Sequence, residues 1–264
     1  MEELLVRIAV FALAGLASGF VSGGIVRVPL FVYLLPLFGV SHAVLMHVAV
    51  GTSIALVLPS AIASTRKQLA LGSLDLAYFR TWAIGLLAGV LIGIVLLPFI
   101  STEILQAIFA AFMLAVGVYE GFLRDRLKVA AAAPQGAVKL AVAAAIGIVA
   151  ALTGTGGGAV TTPVLQAFSV RLQSAIATAS AGGIITGAVA TIGAVVNGWH
   201  TPGLPAWSLG YVDVAIFVAM MPTILIAAPL GVRTGHRLGE AWLRRVYTAL
   251  LFVIAFDLMR KLVS

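Results

Sequence analysis

The sequence predicts an all-α, polytopic integral membrane protein built from two copies of one unit, and three observations predict it. Of 264 residues, 62% are hydrophobic and only 9% are charged, whereas a soluble domain is about a quarter charged. Mean hydropathy is +1.15, too high for a chain that must clothe itself in polar residues. The apolar residues fall in runs of the length a bilayer core demands of a crossing helix, about 20 residues. Several short motifs also occur twice in the same order.

The apolar runs lie at 4–38, 43–63, 77–98, 103–123, 137–169, 174–196, 211–230 and 243–262. Two of them, 4–38 and 137–169, are too long for one helix through about 30 Å of hydrocarbon, and glycines interrupt both near the middle. Each is read as two helices, either fully spanning or re-entrant. The opening MEELLVRIAVFALAGLASGF starts acidic and offers no A-x-A-like cleavage site, so it is read as membrane-resident rather than as a signal peptide.

Net charge is +7. Membrane proteins collect Lys and Arg in short cytoplasmic loops, so this balance implies no nucleic-acid partner. Arg66, Lys67 and Arg80 flank one connection; Arg124, Arg126, Lys128 and Lys139 the next; Arg233, Arg237, Arg244 and Arg245 a third. The connections at 39–42, 99–103 and 197–210 contain no Lys or Arg. With the basic connections inside, 4–38 enters and leaves from outside and 137–169 from inside, which makes the halves inverted relative to each other; an all-parallel arrangement is the alternative. Arg7, Arg260 and Lys261 are discordant with this scheme.

The duplication is visible residue by residue. Gly23-Gly24 is followed at the fifth residue by Pro29, and Gly156-Gly157-Gly158 at the fifth by Pro163. The run Ala49–Ser53 is answered by Ala175–Ala179, and Leu71-Gly72-Ser73-Leu74-Asp75 by Leu209-Gly210-Tyr211-Val212-Asp213. Residues 1–123 are therefore the first repeat, 124–136 a linker and 137–264 the second. Each repeat is expected to hold a glycine-broken hairpin followed by three transmembrane helices. A broken helix leaves backbone N–H groups at the start of its second piece, and the helix dipole makes that end attractive to an anion. Inverted repeats with such breaks in matching positions point to a transporter with its site near the midplane.

These residues resemble the TauE/SafE family of sulfite and organosulfonate exporters. The resemblance spans essentially the whole chain and is carried by GLASGFVSGGIVRVP, GIVAALTGTGGGAVTTP, the VGTS run at 50–53, the basic loop leading to LGSLD, and the closing GVRTGHRLGEAWLRRVYTALL. The first break departs from the fuller family form by having Ser22 before Gly23-Gly24. The resemblance implies export of a small sulfur-containing anion from a bacterial cell, through the inner membrane, with no cofactor and no ATPase domain.

Arg27 is the sharpest polar feature, because it follows the first break inside an apolar run, where a charge is costly and commonly functional. Its planar fork suits sulfite or sulfonate oxygens; the competing reading is a snorkelling or carbonyl-paired arginine. Its repeat mate is Thr161. Thr52, Ser53, Thr178 and Ser180 are small hydroxyl residues after the breaks, able to line an anion path or to let helices pack closely. The expected substrate site is thus Gly23, Gly24, Arg27, Thr52, Ser53, Gly156, Gly157, Gly158, Thr161, Thr178 and Ser180. His42 and His47 are candidates for proton coupling, against a role in interfacial hydrogen bonding. Their spacing is wrong for a metal pair, and no metal site is expected.

Enzyme chemistry finds little support. Asp75 and Asp213 read as helix caps at the starts of spans, Glu120 and Asp257 each precede a basic residue by four, and the chain has no cysteine. Gly154-Thr155-Gly156-Gly157-Gly158 lacks the Lys-Ser/Thr of a phosphate loop. The leading expectation is a secondary transporter working by alternating access, one repeat rocking against the other, with lipid and a small anion as partners and a homodimer left open. An anion channel or a non-transport membrane scaffold are the alternatives.

Overall fold

The computed structural model describes residues 2–20, 24–124, 126–238 and 240–263. Both over-long runs divide in two. The first gives α1 (Glu2–Phe20) and α2 (Gly24–Leu34), the latter continued by a 3-10 turn at Leu35–Phe38; the second gives α6 (Gly136–Thr153) and α7 (Gly158–Ala167). After the first pair come α3 (His42–Ala70), α4 (Leu76–Leu96) and α5 (Thr102–Val118), which ends in a π turn at Tyr119–Leu123. After the second pair come α8 (Leu172–Gly198), a hairpin of β1 (Ser208–Leu209) and β2 (Val212–Asp213), α9 (Val214–Leu238) and α10 (Glu240–Val263). The order long, short, long, long, long occurs twice. At 1.5 Å per residue α6 is about 27 Å long, enough for one crossing, while α7 is about 15 Å, half of one.

Among the described residues, five segments are long and apolar enough to cross a membrane: His42–Ala70, Leu76–Phe99, Thr102–Leu123, Gly136–Thr153 and Leu172–Gly198. Shorter apolar stretches lie at Leu5–Gly19, Ile25–Phe38 and Val214–Ala227. Large side chains such as Ile84, Val95, Ile192, Val196, Ile226 and Phe256 are each more than 60% exposed. A chain that turns these outward is solvated by lipid.

The structure corrects three boundaries. Helix α3 continues seven residues past the apolar run, to Ala70, and α9 eight past, to Leu238, because a helix leaving the bilayer has no reason to stop where polar residues begin. His236 therefore lies on α9. The segment from 208 to 213 is a two-stranded ribbon, with Ser208 opposite Asp213 and Leu209 opposite Val212, where the sequence predicts loop and then helix. Gly210 turns it at φ +58°, and Tyr211 N donates to Ala194 O at 3.0 Å. The ribbon is thereby pinned against α8.

Helix packing exchanges elements between the halves. Helix α1 lies along α9, and its counterpart α6 lies along α4. Both contacts run parallel and are made by small residues: Gly15 faces Met220 and Gly19 faces Ile224, while Gly85, Gly89 and Gly93 face Leu140, Ala144 and Ile148. Helix α3 meets its counterpart α8 antiparallel, with Leu58 against Gly187, Ala61 against Gly183 and Ser64 against Ser180. Helix α5 meets α10 antiparallel as well, Gln106 Nε2 donating to Leu258 O at 3.0 Å near one end and Gly117 facing Leu251 further along.

The two caps form: Asp75 Oδ1 accepts from Tyr78 N at 2.9 Å, and Asp213 Oδ1 from Ile216 N at 3.1 Å. Each of the discordant basic residues has a carboxylate partner. Arg7 is ion-paired with Asp213, and Arg260 and Lys261 lie 3.4 and 3.5 Å from Asp257, with the Lys261 ammonium 3.8 Å from the Tyr33 ring centroid. Asp213 caps its helix from a fully buried position.

The tightest crossing sets a prediction. A Cβ on Gly89 would overlap the Ala144 carbonyl, a backbone atom that cannot swing aside. Gly89→Leu should therefore cost about 3 kcal/mol or more and lower the melting temperature in detergent. Gly158→Ala, whose Cβ meets nothing within 4 Å, should leave it unchanged.

Candidate functional site

The second break is a tight turn of four residues, Gly154-Thr155-Gly156-Gly157. Gly154 ends α6 in the left-handed region (φ +66°), Gly156 stands at φ +72°, and Gly157 precedes α7 at φ +78°. At Gly156 two constraints coincide, because a Cβ there would also overlap the Val57 side chain. The carbonyls released by the turn find hydroxyl donors on other helices: Ser53 Oγ donates to Gly154 O at 2.8 Å and Thr186 Oγ1 to Gly156 O at 3.0 Å. Helix α7 begins without a side-chain cap, so its first N–H groups face outward from the helix end.

The first break brings Arg27 to the same place. Arg27 sits on the first turn of α2, only 5% exposed, and its Nη1 donates to Ser53 O at 3.5 Å. Its Nε is buried and finds no partner among the described residues. Ser53 thus touches the second break through its hydroxyl and Arg27 of α2 through its carbonyl.

Between the breaks lies a cavity of about 400 Å³. Arg27 and six hydroxyl residues, Ser18, Ser60, Ser64, Thr155, Thr162 and Ser180, form its polar lining. Gly156 and Gly158 expose backbone to it, while Val57, Ala61, Ile176, Ala179 and Ile224 make an apolar wall. No carboxylate lines it, so the guanidinium is the only charge at the cavity among the described residues. Ser64 Oγ and Ser180 Oγ are 2.7 Å apart across the α3–α8 contact.

Of the residues expected from sequence, Arg27, Gly156, Gly158 and Ser180 line the cavity. Gly24 opens α2, and Gly157 precedes α7 without lining the cavity; Gly23 lies outside the described residues. Ser53 is one step behind Arg27. Thr161 is buried off the cavity, and its neighbour Thr162 takes the position instead. The repeat alignment fixed the right turn of α7 but not the face. Thr52 belongs to another contact, its Oγ1 accepting from Asp213 N at 2.9 Å, and Thr178 is buried in α8 away from the lining.

The histidines lie elsewhere too. His42 is exposed at the start of α3, 3.6 Å from Glu103. His47 is buried, with Nε2 3.3 Å from Leu97 O and its ring 4.9 Å from that of Tyr211. Sequence reasoning missed Ser18, Ser60, Ser64, Thr155 and Thr162. A signal existed for part of this set: Val57, Ser60, Ala61 and Ser64 on α3 repeat the spacing of Ile176, Ala179, Ser180 and Gly183 on α8, one helical face in each case.

Fold and site together define a multi-pass helical membrane protein with a pocket that carries one buried cation. Residues 7–258 match the model of the family described as sulfite exporter TauE/SafE, and the chain belongs to that family, a family of membrane transporters. A "probable membrane transporter protein" of Haemophilus influenzae is 28% identical over 262 residues, covering 98% of both chains. Another protein of that description, from Methanocaldococcus jannaschii, is 24% identical over 247 residues, covering 90% of this chain and 88% of its own. No solved structure matches.

The tie between the breaks can be tested separately from any ligand. Ser53→Ala removes the hydroxyl on Gly154 O and leaves the carbonyl that Arg27 uses. A buried acceptor without its donor costs about 1–3 kcal/mol, so the variant should melt at a lower temperature than wild type. Equal melting would show that the break is held by other contacts.

Proposed function

We propose that this protein is a secondary transporter of a small sulfur-containing anion, sulfite or an organosulfonate, working by alternating access in the inner membrane of a bacterial cell. The observation that carries this reading is the buried Arg27 guanidinium with an unpartnered Nε, set in a cavity of hydroxyl groups at the meeting of both breaks. A guanidinium binds the oxygens of an oxyanion through paired N–H donors. The uncapped start of α7 at Gly158 adds further N–H groups and the positive end of a helix dipole. The volume falls within the range of small-molecule sites. The sulfur in the substrate rests on the family description, whereas the negative charge rests on Arg27.

The antiparallel meeting of α3 with α8 and of α5 with α10 supports reading the halves as inverted repeats about a central axis. The close glycine contacts of α1 with α9 and of α6 with α4 favour mixed bodies as the units that rock, each holding helices from both halves. Sliding would then occur where α3 crosses α8, beside Arg27. The expectation of one sequence repeat rocking against the other is revised accordingly.

Proteoliposomes holding labelled sulfite or isethionate should show saturable counterflow. A charge-assisted hydrogen bond contributes about 1.5–3 kcal/mol, so Arg27→Ala should lower flux about tenfold or more, and Arg27→Lys should retain part of it. Unchanged flux in Arg27→Ala would remove the cavity from the account. Conductance without counterflow would mark a channel.

A further inference from the structure

The buried pair of Arg7 and Asp213 has no part in the anion cavity, yet it lies one step from it. Arg7, on the second turn of α1, pairs with Asp213 Oδ2, and the two side chains are 10% and 0% exposed. They are 206 residues apart in sequence and join α1 to the start of α9. Asp213 N donates to Thr52 Oγ1, and the next residue, Ser53, gives its carbonyl to Arg27 and its hydroxyl to the second break. Two adjacent residues of α3 therefore touch the backbone N–H of Asp213 on one side and the anion site on the other.

We propose that Asp213 is the site of a coupling proton, with Arg7 as its counter-ion and Thr52–Ser53 as the contact through which its state reaches Arg27. This rests on reading the chain as a secondary transporter. Buried ionisable groups in membrane spans commonly serve proton relays, and the surroundings of Asp213 leave few competitors. From α1 it faces Arg7. From α3 the nearest titratable group is His47, which packs on Tyr211 and Leu97 O rather than on the carboxylate. Helix α8 has no titratable residue anywhere along its length, and α9 has none before Arg233.

Charge balance supplies the coupling. Without anion, Arg7, Asp213 and Arg27 carry one net positive charge. Protonating Asp213 alone makes it two, which a medium of low dielectric opposes. An anion at Arg27 first brings the three groups and their ligand to zero, and protonation then restores the resting value. In the step itself, Asp213 Oδ2 forms an O–H bond with a proton taken from the aqueous side, its ion pair with Arg7 is lost, and the proton leaves on the other side with the anion. Anion and proton thus favour each other's binding, and reciprocally. Net flux follows the sum of the two gradients.

The test uses isethionate, a sulfonate that stays a monoanion across the working range and takes up no proton itself. Added to purified wild-type protein in weakly buffered detergent with a pH indicator, it should bind with uptake of about one proton per anion. His47→Asn should keep that uptake, and Asp213→Asn should bind isethionate without it. In proteoliposomes Asp213→Asn should lose accumulation driven by a pH gradient while anion-for-anion exchange continues. Wild-type binding without proton uptake would overturn the proposal even if Asp213→Asn fails to fold, and so would uptake that disappears in His47→Asn but persists in Asp213→Asn. Failure of isethionate and sulfite alike to bind wild-type protein is a different result and would instead contradict the transporter reading.

Discussion

A helix broken inside a bilayer bares backbone carbonyls and N–H groups that lipid cannot satisfy, and the organisation of this protein follows from how they are answered. Ser53 and Thr186 reach across from α3 and α8 to the carbonyls of Gly154 and Gly156. The same Ser53 presents its own carbonyl to Arg27. One small residue thus holds the second break and anchors the cation that the first break carries. A larger side chain at this position would separate the two.

Close approach is the second consequence. Hydroxyls as short as those of Ser and Thr can span only if the chains lie nearly in contact, and Gly154 and Gly156, set against Val50 and Val57 of α3, provide that approach. The glycines of α1 and α4 bring helices together in the same way. Each breaks the boundary between the halves, α1 lying on α9 and α4 on α6. The halves are therefore interlocked, and a buried ion pair, Arg7 with Asp213, fastens one of the two mixed contacts. The α3–α8 crossing is also close, with Gly187 against the Leu58 backbone and Gly183 against Ala61, and it carries in addition the Ser64–Ser180 hydroxyl pair beside the cavity.

Much of this is legible in the sequence because it is local. The division of 4–38 and 137–169 follows from length and glycine, and Arg27 stands out as a charge in an apolar run. What could not be read is set by distance or by face. Arg7 looks misplaced until a carboxylate 206 residues away arrives beside it. Thr161 and Thr162 are adjacent, and only the rotation of α7 decides which meets the cavity. The ribbon at 208–213 has strands of two residues, too short for any alternation to show. Thr52, expected at the substrate site, instead accepts from Asp213 N, a partner 161 residues away in sequence.

The central claim is that the cavity at Arg27 receives the anion. The chain has no cysteine, so a thiol can be introduced at one position without altering others. The decisive measurement is the rate at which N-ethylmaleimide labels Ser180→Cys in membranes, with and without a saturating sulfonate. An anion held by Arg27 should slow labelling at this position and leave unchanged that of Phe99→Cys, an exposed control 82% accessible outside the cavity. Equal rates at Ser180→Cys in the presence and absence of a sulfonate that the protein demonstrably binds would place the site elsewhere and contradict the account.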